Sequence, residues 1–366
     1  MRVAIVHYWF VGMRGGEKVV EALLRQFPDA DVYCHVYDPG AISPLIAGSI
    51  RGTTFINRLP FAKTRYQAYL PLMPLALEQL DLRGYELVIS SESGPAKGVI
   101  VDPEALHLCY CHSPMRYVWD MYHDYRASAG WLTRFLMPPV MHYLRVWDVT
   151  SANRVSHFIC NSHYVAARVR QYYRRSASVI HPPVALDEFE PVAEIDDYYL
   201  FVGQLVDYKR ADLAVEAFNA NGRPLKVVGN GPQMKCLKAS AGTNVELLGK
   251  VDATQLKQLY ARCKALIFPG VEDFGIVPLE AMASGRPVIA LGQGGALETV
   301  VDGETGVLFS HQSIDSLNEA ILRFEQSVDR FHSPVLRRHA EQFSEDRFLR
   351  QINRVISGWS EDSAIG

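Results

Sequence analysis

Two series of alternating strand-like and helix-like segments, parted by a proline-rich stretch, constrain this chain more than any other feature. In the first series the apolar runs VAIVHY (3–8), DVYCHVY (31–37), ELVISS (86–91), LHLCYC (106–111) and HFICNS (157–162) read as buried strands. Between the first two lies EKVVEALLRQF (17–27), where Val19, Leu23 and Leu24 form a helical stripe. Continuously apolar strands alternating with amphipathic helices are the pattern of a parallel sheet covered on both faces. A second series follows with YYLFVGQL (198–205), KVVGNGP (226–232), NVELLGKV (244–251), ALIFPG (265–270) and PVIAL (287–291). The segment VIHPPVALDEFEPVAEIDD (179–197) separates them, and its Pro182, Pro183 and Pro191 disfavour regular structure. At 366 residues the chain also exceeds what one hydrophobic core organises. The expected class is therefore α/β, with two Rossmann-like doubly wound domains facing a cleft. The domains are placed at 1–185 and 186–342, and 343–366 is a C-terminal helix packing back toward the first domain. Ser344 is the expected N-cap of that helix, with Glu345 and Asp346 at its positive end. Open α/β sheets bind ligands at the carboxyl ends of their strands, so the loops that follow the strands are where to look.

Composition narrows the classes of function. A net charge of −3 carries no nucleic-acid signature. Six scattered cysteines, most inside apolar runs, read as reduced and buried, which fits a cytoplasmic chain. The cluster of His107, Cys109, Cys111 and His112 has C-x-C spacing with no second pair, so no metal is expected. The N-terminus has no signal-peptide layout, and no stretch reaches the roughly 18 apolar residues that a membrane span needs. Two irregular regions, 55–80 and 113–150, are aromatic and proline-punctuated; they suit core burial or partial exposure to a lipid surface.

Three loops carry the chemical signals. In FVGQLVDYKRADLAVEAF (201–218) a strand ends at Gly203 and a helix starts near Ala211, placing Lys209 and Arg210 at a helix N-terminus. Positive charge is disfavoured there, and a docked phosphate reverses the sign. Gly229 and Gly231 in GNGP, and Gly15 and Gly16 before the first helix, allow close approach of a charged ligand. The latter pair lacks G-x-G-x-x-G spacing and does not support nicotinamide binding. In VEDFGIVPLEAMASG (271–285), Glu272 falls in a loop at a strand end, Pro278 suits a first helical position, Glu280 a first turn, and Gly285 a terminator. A carboxylate near a helix N-terminus is stable with no further role, so Glu280 is ordinary on its own. Glu272 beside Asp273 is not, and hydrogen bonds from sugar hydroxyls would account for both glutamates.

This stretch, with GGALETVVDGETGVL (294–308), resembles the retaining GT-B glycosyltransferases of family 4, whose Glu-x7-Glu motif is met by Glu272 and Glu280. The resemblance runs from GGEKVVEAL to the last helix. It implies that Glu272 contacts the transferred sugar, that the backbone at Phe274, Gly275, Ile276 and Val277 approaches sugar or phosphate, and that Glu280 holds the ribose. It implies further that Lys209 binds the diphosphate and that His112, in CHSP, lies near the reacting sugar, which makes His112, Glu272 and Lys209 the expected catalytic set. Gly15, Gly16, Gly203, Gln204, Arg210, Gly229, Gly231 and Pro269 complete the expected donor site, and Arg116, Tyr117 and Trp119 the acceptor site. The family has arginine where this chain has Gln204; an amide carries no charge for a leaving phosphate, and Arg210 is the substitute cation. CYCHSPMRYVWD (109–120) most resembles mannosyltransferases that use GDP-mannose in O-antigen and other surface-polysaccharide synthesis.

The expected activity is retaining transfer of a hexose, mannose from GDP-mannose, to a glycan or polyprenyl-linked acceptor, with no metal or other cofactor. The expected place is the cytoplasm or the cytoplasmic face of the inner membrane. Open alternatives are a transferase using a UDP- or ADP-sugar, a phosphorylase or synthase of the same architecture, and a sugar-nucleotide-binding module with weak catalysis. A membrane-surface scaffold using RVRQYYRRS (168–176) and WLTRFLM is a further reading.

Overall fold

In a computed structural model, which describes residues 1–363, the chain forms two compact units: Met1–His181 together with the segment from Leu349, and Pro182–Phe348. The first is built on β1 (Val3–Phe10), β2 (Asp31–Tyr37), β3 (Ile50–Thr53), β4 (Leu87–Glu92), β5 (Leu106–Cys111), β6 (His157–Cys160) and β7 (Ala177–Val179). These join in the order β3-β2-β1-β4-β5-β6-β7 with every pair parallel. The second holds β8 (Tyr199–Val202), β9 (Leu225–Val228), β10 (Val245–Gly249), β11 (Leu266–Phe268), β12 (Val288–Leu291) and β13 (Gly306–Phe309). Its order, β10-β9-β8-β11-β12-β13, is the doubly wound 3-2-1-4-5-6 arrangement, again all parallel.

The strands read from apolar runs are present, and β4 and β5 are buried along their whole length, as a sheet covered on both faces requires. Sequence reading passed over β3, β7 and β13, of three or four residues each, too short to show periodicity. Each sheet reverses direction beside its first strand, between β1 and β4 and between β8 and β11. A crevice forms at such a point because the flanking connections leave to opposite faces.

Region 113–150 divides between the two readings given to it. The helix Trp131–Ala152 buries Met137, Met141, Leu144 and Trp147. On the same helix Trp131 and Phe135 stay 82% and 76% exposed, beside exposed Leu132 and Leu136. Five of the six cysteines are buried, but Cys236 is exposed on the short helix Met234–Ser240, so its place in an apolar-looking run misled. The basic segment 168–176 is also less exposed than expected: Arg168 is buried and reaches Asp120 at 2.6 Å, and Arg175 is spent on the carbonyls of Ala152 and Val155. Among the described residues no helix is long and apolar enough to cross a membrane.

At the end of the second unit Ser344 keeps an extended backbone and its carbonyl accepts from the Phe348 N–H. It therefore stands where an N-cap stands, just ahead of the helix Glu345–Ser363.

Candidate functional site

In the second unit the crevice loops carry a compact polar group. β8 ends before Gly203, and a single 3-10 turn, Asp207–Lys209, leads into the helix Ala211–Asn221. Arg210 is the N-cap in a left-handed conformation, φ 56°. Its guanidinium meets Asp212 in the first turn at 3.1–3.2 Å and Gln312 at 3.4 Å. The charge that the helix dipole disfavours is thus offset within the chain. Lys209 Nζ lies 2.7 Å from Glu272 Oε1, with both side chains under one-fifth exposed. The carboxylate that looked unexplained beside Asp273 has a cation as its partner.

Glu272 sits in the loop after β11, held by its own carbonyl, which accepts from the Gly295 N–H at 2.8 Å. That contact gives the GG pair of GGALETVV a role that sequence reading did not assign. The helix of the Glu-x7-Glu stretch is Ile276–Ala283 with Gly275 as N-cap, so Pro278 is its third residue rather than its first. Proline fits there because the first four N–H groups of a helix have no partner within it. Glu280 lies one residue beyond the first turn, and a first-turn dipole contact is not what holds it. It is 8% exposed, and the Tyr260 hydroxyl donates to its Oε2 at 2.9 Å. Burial, then Glu280, then more weakly Glu272, push the Tyr260 phenol far above its ordinary range, so both glutamates act on one ring. After the helix, Gly285 N–H donates to Met282 O and Arg286 N–H to Ala281 O, the paired bonds of a Schellman end.

The remaining second-unit candidates line the same loops. Gly203 N–H donates to Val228 O and Leu205 N–H to Asn230 O, which ties the loop after β8 to the loop after β9. A Cβ on Gly229, whose φ is 141°, would lie 1.8 Å from Gly203 O, so only glycine fits. Gly231 belongs to the same loop, Gln204 is exposed, and Pro269 accepts from the Gln312 amide at 3.0 Å. Phe274 is buried against Phe343, which leaves its backbone rather than its ring for a ligand. Val277 is partly buried beside Ile276 at the helix start. Tyr260→Phe is expected to lower the urea unfolding free energy of this unit by about 1–3 kcal/mol, because a buried carboxylate loses a donor. An unchanged unfolding midpoint would show that the bond carries no weight.

In the first unit the residues around the β1–β4 reversal form a second group. Gly15 opens the helix Gly15–Gln26, and Glu17 Oε2 accepts from the Arg14 N–H at 3.0 Å as the return half of a capping box. A Cβ on Gly16 would meet Tyr8 Oη at 2.9 Å, His7 Cε1 at 3.3 Å and His112 Nε2 at 3.5 Å. Glycine at this position lets the helix start pack directly on the histidine pair. His112, just past β5, contacts Ser91 Oγ through Nε2 at 2.8 Å. Burial, reinforced by the neighbouring His7, lowers its pKa to about 3, so the ring is neutral at physiological pH. His7 and Ser91 were not foreseen: both lie within strands and read as core.

Tyr117, expected at an acceptor, walls a cavity of about 460 Å³ with Trp9, Leu70, Tyr125, Met137 and Met141. Its hydroxyl is buried without a hydrogen-bond partner. Arg116 is partly buried beside it. Trp119 stacks on Tyr172 at 4.6 Å and donates its indole N–H to Asp148 at 2.8 Å. Asp148 in turn pairs with Lys97, which also reaches Glu92 at 3.2 Å, all three fully buried. Trp119 is therefore anchored to an internal charge cluster. Among the described residues no group of histidine, cysteine, aspartate and glutamate is arranged to hold a metal.

Two parallel doubly wound units with polar loops at both reversal points define a GT-B architecture. Known proteins agree: the profile for Glycosyltransferase Family 4 matches residues 13–188, and that for Glycosyl transferases group 1 matches 186–335. The chain belongs to the family 4 glycosyltransferases. It is 26% identical over 298 residues to alpha-1,3/1,6-mannosyltransferase ALG2 of Mus musculus, covering 68% of this chain and 67% of that one. It is 30% identical over 201 residues to the GDP-mannose-dependent alpha-(1-6)-phosphatidylinositol monomannoside mannosyltransferase of Mycobacterium tuberculosis, covering 46% of this chain and 52% of the relative. With the O-antigen chain mannosyltransferase RfbU of Salmonella typhimurium it shares 27% over 209 residues, 52% of this chain and 59% of that one. The chain spans about half the length of several curated relatives, 52% of the uncharacterized glycosyltransferase MJ1178 of Methanocaldococcus jannaschii among them. Among solved structures, Anabaena Alr3699/HepE in complex with UDP superposes with a TM-score of 0.70 at 17% identity, over 98% of this chain and 100% of that one. At that identity the likeness speaks for the fold.

Proposed function

We propose that this glycosyltransferase moves mannose from GDP-mannose, with retention of the anomeric configuration, to a hydroxyl of a glycan or lipid-linked glycan in surface-polysaccharide synthesis. The observation that carries this reading is the pairing of Lys209 with Glu272 on the loops at the β8–β11 reversal, with Glu280 held by Tyr260 on the helix that follows. Glycosyl transfer needs a cation for the departing diphosphate and acceptors for sugar and ribose hydroxyls, and these residues supply both. Lys209 takes the diphosphate, assisted by Arg210 and the backbone N–H groups of the glycine loops. Glu272 accepts from the hydroxyls of the transferred sugar, and Glu280, held by Tyr260, from the ribose. Gln204 contributes an amide only, so Lys209 bears more of the leaving-group charge than in relatives with arginine there. In the first unit Gly16 gives a backbone approach to phosphate, and neutral His112 offers a hydrogen bond to a sugar hydroxyl without adding positive charge. The reading requires no metal.

The names of the relatives support the choice of mannose and of a guanine nucleotide. The cavity beside Tyr117 suits the apolar part of a lipid-linked acceptor, and the exposed Trp131 and Phe135 suit peripheral contact with a bilayer surface. A screen of nucleotide sugars by thermal shift tests the donor. GDP-mannose at 100 times its dissociation constant is expected to stabilise the fold by about 2.7 kcal/mol, with UDP- and ADP-sugars giving less. Equal shifts for all donors would overturn the guanine assignment, and a β-linked mannoside in the product would overturn retention.

A further inference from the structure

We propose that Glu17, His7 and Ser91 form a proton-ordering relay that fixes His112 as its Nε2–H tautomer, leaving Nδ1 as a bare hydrogen-bond acceptor. None of the three is in the set that the resemblance assigns. His7 and Ser91 are directly opposed on β1 and β4, and both are fully buried. Ser91 Oγ lies 2.9 Å from His7 Nδ1 and 2.8 Å from His112 Nε2. A serine hydroxyl carries one proton, so when it donates to one ring it accepts from the other. With one proton on each ring, two arrangements follow, and they place opposite tautomers on His112.

Glu17 decides between them. His7 Nε2 is buried, has no hydrogen-bond partner, and faces Glu17 Oε1 at 3.9 Å. If His7 Nδ1 carried the proton, a bare Nε2 would confront a carboxylate oxygen in a dry environment, which is repulsive. With the proton on Nε2 the N–H points toward negative charge. His7 Nδ1 then accepts from Ser91, and Ser91 accepts from His112 Nε2–H. The tautomer of a histidine is set by what its other nitrogen meets, here through a second ring and a hydroxyl. Glu17 is itself fixed at the helix start by the Arg14 N–H. The relay thus runs from the capping box of the first helix to the ring beside Gly16, and Glu17, His7 and Ser91 are positioning residues.

Glu17→Gln tests the relay with little risk to the fold, because glutamine also serves in a capping box. Its amide donates toward His7 Nε2, favours a bare nitrogen there, and so reverses the chain of donors. On full-length protein labelled with 15N-histidine at pH 8, the His112 signals (assigned by their loss in His112→Gln) are expected to report Nε2–H in the native protein. In Glu17→Gln they move toward Nδ1–H. In Glu17→Gln/Ser91→Ala the shift vanishes, because the hydroxyl link is cut. Native His112 in the Nδ1–H form, or a His112 tautomer unmoved by Glu17→Gln, would overturn the proposal. The activity consequence rests on the transferase reading: kcat of Glu17→Gln is expected to fall about tenfold, the factor one ordinary hydrogen bond carries. The two readings separate cleanly, since the tautomers can be as expected in a protein that turns over no nucleotide sugar.

Discussion

Lys209→Ala is expected to lower kcat for sugar transfer by about 100- to 1,000-fold, the range seen when one preorganised group facing developing charge is removed. In the proposed transfer the leaving diphosphate gains negative charge as its bond to the anomeric carbon breaks, and an exposed Gln204 cannot answer that charge. Arg210 stays committed to Asp212, which limits what it can take over. The variant also strips Glu272 of a cation 2.7 Å away, so a second, independent loss follows. Without Lys209, Glu272 is less well held for the sugar hydroxyls that the proposed function gives it, and the unit is expected to lose some stability. Glu272→Gln separates the two effects: it keeps Lys209 and the side-chain shape, and should weaken sugar recognition more than diphosphate binding. Initial rates on variants with native circular dichroism check this. Near-native turnover by Lys209→Ala would remove Lys209 from the mechanism.

The second large effect is a loss of stability in mild acid, centred on the first unit. Burial lowers the pKa of His35 and of His107 to about 4, and both are fully buried. In the unfolded chain they titrate near the ordinary value of about 6.5. Below that value the unfolded state binds protons that the native state refuses, so stability is complete above about pH 7 and falls as the pH drops through 6.5 toward 4. By pH 5 the two histidines together are expected to cost about 3–4 kcal/mol, a large share of a typical domain's stability. His112, lowered by the same cause, acts in the same direction. Urea unfolding at pH 7.5 and pH 5 measures this, and equal unfolding free energies would mean that the histidines are solvated in the native state.

What could be read from the sequence followed the range over which each signal acts. Strands such as 31–37 and 106–111 were legible to the residue, because a buried strand advertises itself locally in β-branched and apolar residues. The short strands 50–53, 177–179 and 306–309 owe their existence to a neighbour's edge, which local sequence does not carry. Loop chemistry was legible in kind but not in partnership. Glu272 was singled out for its unexplained charge, yet its cation lies 63 positions earlier in sequence and only the sheet order brings them together. Pro278 and Glu280 each lie two positions further into the helix than the sequence suggests, since proline marks a helix start without fixing which of the first positions it takes. His7 and Ser91 illustrate the limit: a polar residue inside an apolar strand looks like tolerated core until the opposite strand is known.

Because the segment from Leu349 belongs to the same unit as residues up to His181, the second unit is a guest spliced into its host. On the ribosome, the guest has its whole sequence available while the host still lacks its closing segment. Synthesis order and assembly order therefore run opposite ways for the first-made domain. A stop codon just after Phe348 would leave the guest whole and the host unfinished.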